Sequence, residues 1–477
     1  MKIMFAFILL VFIFLPLNAE IVLPKILTDN MVLQREKQVA IWGTASVGEK
    51  ITVKFAGQIK STKTDKTGNW RIKLDAMKAT IQPQNMTILG SNTLIIKNIV
   101  VGDVWLCSGQ SNMEYPLDRM LHHYIAPAKC SDSAAIVLRS KRNPLVRFLY
   151  VEHKLAPILP TLGWKESSDS TLKFVSAVGY FFADNLAKQL NIPIGIISSS
   201  WGGTRVEQWT PFSAYQTSPI FKDSTAGKSN FKIDGLIPGK MFEGMIHPLI
   251  PYTLKGIIWY QGESNVMIHD TATFVAKTKL MLDTWKSLWN DPTLFFNFVQ
   301  IAPYHYSKRK DKLKHGTDLL PYYWENQAKC LAFPRAGMTV TTDLVDNLNN
   351  IHPSYKWEVG RRLARCALAK SYGQKIVYSG PIYQNMKILN HAIELNFKFT
   401  GSGLKSSDHK PLTWFSIAGK DRKFFPAHAE IRGNKVIVNS KNVPFPVAVR
   451  FGWDESAMPN FCNNEKLPAS PFRTDHW

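Results

Sequence analysis

Between about residue 102 and residue 377 the chain repeats one pattern, and that pattern restricts its fold more than any other feature. Short apolar runs, long enough for one buried strand each, alternate with segments of helical periodicity. The runs are Val104-Trp105-Leu106, Ile194 to Ile197, Gly256-Ile257-Ile258-Trp259-Tyr260, Leu294 to Val299, and Gly337-Met338-Thr339-Val340-Thr341. Between them, Val178, Phe182, Leu186 and Leu190 fall four apart on one helical face, and Asn191-Ile192-Pro193 ends that helix. A later helix carries Val359, Leu363 and Ala367 on one face. Strand and helix signals in alternation imply an α/β core built on a parallel sheet.

The flanks read differently. From about Glu20 to Val101, Ile51, Val53 and Phe55 alternate with Thr52 and Lys54, and Trp70, Ile72 and Leu74 alternate with Arg71 and Lys73. Period two with Gly and Asn turns predicts a small antiparallel β unit. After about Tyr378 the helical pattern stops, and alternating stretches such as Ile393 to Phe397 and Lys435 to Val438 predict a second β-rich region. The expected organisation is residues 1–19 as a signal peptide, 20–101 as an N-terminal β domain, 102–377 as a catalytic α/β domain and 378–477 as a C-terminal β-rich region. Lys2, the apolar run from Met4 to Leu15 and the small-residue site at Leu17-Asn18-Ala19 are the three parts of a secretory leader. The run is shorter than the roughly 20 residues needed to span a bilayer, and no later segment reads as transmembrane. The expected protein is therefore exported, secreted or periplasmic, with no integral span in the mature chain.

Composition adds exclusions. At 45% hydrophobic and 20% charged residues the chain is ordinarily globular. The formal charge of +22 favours anions generally, but there is no nucleic-acid motif and no concentrated basic stripe, so nucleic acid is not an expected partner. The run Lys308-Arg309-Lys310-Asp311-Lys312 reads as a solvated loop. Five cysteines, at 107, 130, 330, 366 and 462, are too widely spaced for a disulfide framework or a metal motif. No two-His helix motif with a Glu, phosphate loop or dinucleotide fingerprint appears, so neither metal nor cofactor is expected.

Four loops each follow a buried strand, where ligands bind in open α/β sheets. The first is Ser108-Gly109-Gln110-Ser111-Asn112-Met113. A Ser in such a turn can present its hydroxyl at the sheet edge, and a following helix start can offer N–H groups to an oxyanion. The second, Ser198 to Thr204, holds Gly202 and Gly203, which permit close backbone approach. The third, Tyr260-Gln261-Gly262-Glu263-Ser264-Asn265, sets polar side chains against an apolar strand end. The fourth runs from Asp343 to Pro353, with Pro353 suited to the first turn of the following helix. Together they supply a serine-hydrolase set: Ser111 as nucleophile, His352 as base, and backbone N–H groups with an amide side chain as oxyanion hole.

These loops also carry a resemblance. Gly109-Gln110-Ser111-Asn112, Ser200-Trp201-Gly202-Gly203-Thr204, Trp259 to Asn265, and Ile351-His352-Pro353 with Lys356 and Val359 to Ala364 resemble the successive blocks of the sialate O-acetylesterase family within the SGNH hydrolases. The likeness runs from about Glu20 to Ala369 and is looser in the C-terminal region. It implies a flavodoxin-like SGNH core and an esterase that removes 9-O-acetyl groups from sialic acid through an acetyl-enzyme. The rival readings are an acetylxylan-type esterase and a non-catalytic glycan-binding protein. Carried over by position, the N–H groups of Ser111 and of Gly202 or Gly203 bind the oxyanion. The side-chain donor is Gln261, with Asn265 as the alternative. Glu263 and Arg205 are the candidates for touching the sugar, Arg205 through a sialic acid carboxylate. One departure stands out: the position three before His352, often Asp in SGNH enzymes, is Asn349. Asp343, at the end of a strand, is the preferred replacement acid. Asp346 and a dyad without an acid remain the alternatives.

Overall fold

The computed structural model describes residues 20–123, 143–155, 159–167, 174–310 and 313–477. The expected leader, Cys130 and part of the basic run at 308–312 lie outside them.

The predicted parallel sheet forms. In spatial order its strands are Ala336–Thr339, Phe295–Val299, Gly256–Tyr260, Thr93–Gly109, Ile194–Ser200 and Val146–Tyr150, all parallel. Trp164–Glu166 closes one edge antiparallel. The apolar runs are continuous because both faces are covered. Trp105 meets Phe182 of the helix Ala177–Leu190 at 5.0 Å between rings. Trp259 sits opposite Ser108 in register, so its side chain leaves the other face, where it meets Trp285 of the helix Phe274–Leu288. Alternation along a strand thus accounts for helices on both sides.

The helices Ala177–Leu190 and Lys356–Lys370 pack on each other as their apolar stripes predict, with Val178, Phe182, Leu186, Val359, Leu363 and Ala367 buried. The second helix starts at Lys356, so Pro353 precedes it instead of sitting in its first turn. His352 therefore lies on a loop.

The N-terminal β unit shares a strand with the core. Thr93–Gly109 is 17 residues long. Its first half pairs antiparallel with Thr80–Leu89, and its second half is the central strand of the parallel sheet. The boundary expected after Val101 falls inside this strand, and one apolar core spans both regions. Local periodicity changes there because the covering changes from one face to two, while the backbone runs on. The C-terminal region has its own core, with Phe397, Phe415, Phe451, Phe461 and Phe472 in mutual ring contact. It touches the α/β core through Gln300 Nε2 to Ser470 Oγ at 3.1 Å and His305 Nε2 to Ser456 Oγ at 3.1 Å. No helix among the described residues is long and apolar enough to cross a membrane.

The closest helix contact sets a test. A Cβ at Gly360 would lie 2.8 Å from Phe181 Cβ, Phe182 N and Val178 O. Gly360→Val should therefore lower stability by about 1–3 kcal/mol through overpacking, read as a fall in the urea midpoint. An unchanged midpoint would mean that the two helices part readily.

Candidate active site

Three of the four loops start level with one another. In the sheet register Gly109 pairs with Ser200 on one side and Tyr260 on the other. Two further bonds extend that row: Gln110 N–H donates to Tyr260 O at 3.0 Å, and Trp201 N–H donates to Gly109 O at 3.1 Å. The chain then turns into the four-residue helix Ser111–Glu114, with Ser111 first. The first N–H groups of a helix have no intrahelical acceptor. The fourth loop brings His352 over the same point, with Nε2 2.9 Å from Ser111 Oγ. Both line a cleft of about 680 Å³ with Gly202, Gly203, Arg205 and Arg309.

The surroundings of His352 favour its neutral form. Burial first, then the positive charges of Lys356 and Arg119, push His352 down to about 4 from its ordinary 6.5. No carboxylate contributes to that balance. Asp343, the expected acid, is a correction: its two oxygens take a fork from Arg362 at 2.7 and 2.6 Å. An Arg on the adjoining helix offers two aligned donors, which a single imidazole cannot match. Asp346 accepts from Tyr355 Oη at 2.6 Å, and Asn349 meets His305 Nδ1 at 2.9 Å. Among the described residues no acid hydrogen-bonds His352. Its loop is gripped by the backbone instead. His352 N–H donates to Asn350 Oδ1 at 3.0 Å, and Ile351 O accepts from Asn112 Nδ2 at 2.9 Å.

The side-chain donor is also corrected. Gln261 and Asn265 are 1% and 0% exposed, and their amides face each other. Gln261 Nε2 donates to Asn265 Oδ1 at 2.6 Å, while Asn265 Nδ2 serves Glu207 and Asp270 at 3.2 and 3.0 Å. Neither amide lines the cleft. Gln110 does. Its Oε1 accepts from Gly262 N–H at 3.3 Å, Ser264 N–H at 3.2 Å and Gln261 Nε2 at 3.3 Å. Three donors on one oxygen fix the amide's orientation, and its Nε2 has no partner among the described residues. Gln110 stands beside Ser111 in sequence, and that adjacency was the available signal. The two glycines divide. Gly202 N–H donates to Glu114 Oε2, whereas the N–H of Gly203, which also lines the cleft, donates to no partner among the described residues. A Cβ at Gly202 would lie 3.3 Å from Ser111 Cβ and 3.0 Å from Glu114 Oε2, so a side chain there would press on both residues.

Glu263 does not reach the cleft, which corrects its expected contact with the sugar. It is 2% exposed and accepts from Asn112 Nδ2, whose Oδ1 takes a bond from Lys356 Nζ at 2.6 Å. Burial pushes both ends of this chain towards neutrality, Glu263 upwards and Lys356 down to about 7. Desolvation disfavours either charge. Arg205 does line the cleft, braced by Nη2 to Asp234 O at 2.8 Å. Beneath it Glu207, Asp234 and Asp270 converge as a metal site would. The buried ammonium of Lys277 binds all three, with Glu207 at 3.0 Å and Asp270 at 2.9 Å, and so supplies the cation that such a cluster needs.

Known proteins resemble this chain along most of its length. The family described as carbohydrate esterase, sialic acid-specific acetylesterase, matches residues 101–369. Human sialate O-acetylesterase is 29% identical over 94% of this chain and 91% of its own. The mouse sialate O-acetylesterase is 28% identical over 93% of this chain and 92% of its own. A carbohydrate acetylesterase from Xanthomonas citri superposes with a TM-score of 0.83 at 34% identity, covering 96% of this chain and 100% of that one. With the mixed α/β sheet and its β-rich flanks in common as well, the chain is an esterase and belongs to the sialic acid-specific acetylesterase family of carbohydrate esterases.

Proposed function

We propose that this chain is an exported carbohydrate O-acetylesterase with an SGNH core, that it cleaves the 9-O-acetyl ester of sialic acid, and that it works through an acetyl group on Ser111. The observation that carries the mechanism is the 2.9 Å contact of His352 Nε2 with Ser111 Oγ inside the cleft. His352 Nε2 takes the Ser111 proton as Oγ attacks the acetyl carbonyl. The tetrahedral oxyanion is met by the N–H groups of Ser111 and Gly203 and by Gln110 Nε2. Collapse breaks the bond to the sugar oxygen, and the imidazolium returns its proton there. Water then enters by the same route and releases acetate. With no carboxylate on His352 the centre is a dyad. Its imidazolium lies among cations, so it is a short-lived species, while the neutral base is kept ready over a wide pH range. The substrate reading rests on charge. Arg205 and Arg309 line the cleft, and the positive charge of Arg119 acts on His352. A sugar bearing a carboxylate complements that field. The relatives named sialate O-acetylesterase favour the same sugar.

Acetate release from 9-O-acetylated sialic acid and from acetylated xylan, measured side by side, tests the substrate. The sialic acid ester should be the better one, and Arg205→Ala should impair it more than a neutral aryl acetate. Preference for xylan, or equal loss on both esters, would discard the sialic acid reading. Ser111→Ala should cost on the order of 10⁶ in turnover; a folded variant with near-normal turnover would remove Ser111 as nucleophile.

Asp343→Asn should leave turnover nearly intact, where loss of a triad acid costs about 10⁴. In the same dyad the base must be neutral to act. Activity should hold from neutrality downwards and fall only as the pH drops through about 4, where His352 protonates. An acid limb near the ordinary histidine value of 6.5 would contradict the burial argument.

Gln110→Ala should lower kcat by about 10²–10³ with little change in KM, the signature of a lost oxyanion donor. A larger kcat loss in Gln261→Ala than in Gln110→Ala would return that role to Gln261.

A further inference from the structure

The glycine loop poses a mechanical problem. A donor for an oxyanion has to be held within about 0.5 Å of its productive position. Gly203 sits in a left-handed backbone conformation at φ 73°, exposed at the cleft wall. The residue before it is also glycine, whose torsions have no Cβ to restrict them. Two glycines in series make a weak scaffold for a catalytic N–H. Something outside the loop has to hold it.

Glu114 is placed to do so. It ends the short helix that Ser111 begins, so its backbone is tied to the nucleophile by Tyr115 N–H to Ser111 O at 2.9 Å and by its own N–H to Gln110 O at 2.9 Å. Its Oε2 accepts the Gly202 N–H. Its Oε1 lies 3.4 Å from His153 Nε2. His153 in turn stacks on Trp201, with rings 4.4 Å apart and 12° from parallel, and its Nε2 also reaches Ser200 O at 3.0 Å. The carboxylate and the imidazole therefore hold the segment Ser200-Trp201-Gly202 at each of its three residues. This hold starts from the helix that carries the nucleophile. Nothing in the proposed chemistry uses Glu114, whose side chain is 30% exposed beside the cleft.

We propose that Glu114 is a positioning residue for the oxyanion hole: by accepting the Gly202 N–H it fixes the Gly203 N–H at a set distance from Ser111. The inference rests on the Ser111 mechanism proposed above. A carboxylate is a suitable acceptor because an N–H bond to an ionised oxygen is roughly twice as strong as a neutral one. The reach of the side chain matters more than its charge. Glutamine keeps an oxygen at the same length, whereas aspartate keeps the charge and withdraws the oxygen by one methylene.

The experiment compares Glu114→Ala, Glu114→Asp and Glu114→Gln in the full chain, with kcat and KM on a neutral aryl acetate and a thermal midpoint for each. Glu114→Ala and Glu114→Asp should lose about 10²-fold in kcat, the scale of an ångström-sized misplacement, with KM changed by no more than about threefold. Glu114→Gln should recover most of that loss. If the alanine variant fails to fold, the aspartate and glutamine pair decides by itself. Equal kcat in Glu114→Asp and Glu114→Gln overturns the proposal, and so does a folded Glu114→Ala of normal kcat. A faster Glu114→Ala overturns it in the opposite sense, since the carboxylate would then be blocking a donor that the substrate needs. Ser111→Ala run in parallel separates the two readings. An active Ser111→Ala defeats the mechanism itself, whereas an inactive Ser111→Ala beside a normal Glu114→Ala defeats only the role of Glu114.

Discussion

The register of the central strand governs everything at the active site. Gly109 is level with Ser200 on one side and with Tyr260 on the other. Three loops therefore leave the sheet from one row, and Gln110, Trp201 and Gln261 are neighbours by construction. A slip of one residue would turn every side chain of the strand to the opposite face. Such a slip is opposed by Trp105 and Cys107 on one face and by the packing on the other. Because Thr93–Gly109 also belongs to the N-terminal β unit, that unit anchors the strand that leads into Ser111.

Around this row the protein buries polar groups in hydrogen-bonded networks. Gln261 Nε2 donates to both Gln110 Oε1 and Asn265 Oδ1, and Asn112 links Glu263, Lys356 and Ile351 O. Lys277 gathers three carboxylates. Each network exchanges water for fixed partners, which is tolerable only where the partners are in place. The consequence for chemistry is rigidity. The amide orientations that matter are set by backbone N–H groups, and the position of His352 by the chain on either side of it. The backbone on either side of the His352 ring is held by Asn112, through Ile351 O, and by Asn350, through His352 N–H. The C-terminal region adds a brace, since Ser456 meets His305, which meets Asn349 of the histidine loop.

Much of this was legible in the chain. Fully apolar runs signalled two-sided burial, and the strands Gly256–Tyr260 and Ile194–Ser200 lie where those runs are. The helical faces of Val178-Phe182-Leu186 and Val359-Leu363-Ala367 did bury. Ser111 and His352 were singled out because a turn after a strand and a loop before a helix are where such groups can be presented, and the structure brings them together. The polar residues of the third loop were misread. A cluster such as Gln261, Glu263 and Asn265 must be solvated, paired or functional, and one-dimensional pattern does not distinguish a side chain that faces a cleft from one that faces another amide.

The sequence by itself determined the kind of layers, the order of strands and helices, and the four loops that follow the buried strands. These follow from periodicity and from backbone preferences, which act over a few residues. Only the tertiary structure decided which amide faces the cleft, that Asp343 belongs to Arg362, and that Glu114 holds the Gly202 N–H. Those outcomes are competitions for a partner among groups far apart in the chain. They are settled by distance and desolvation, neither of which exists until the sheet has placed its loops side by side.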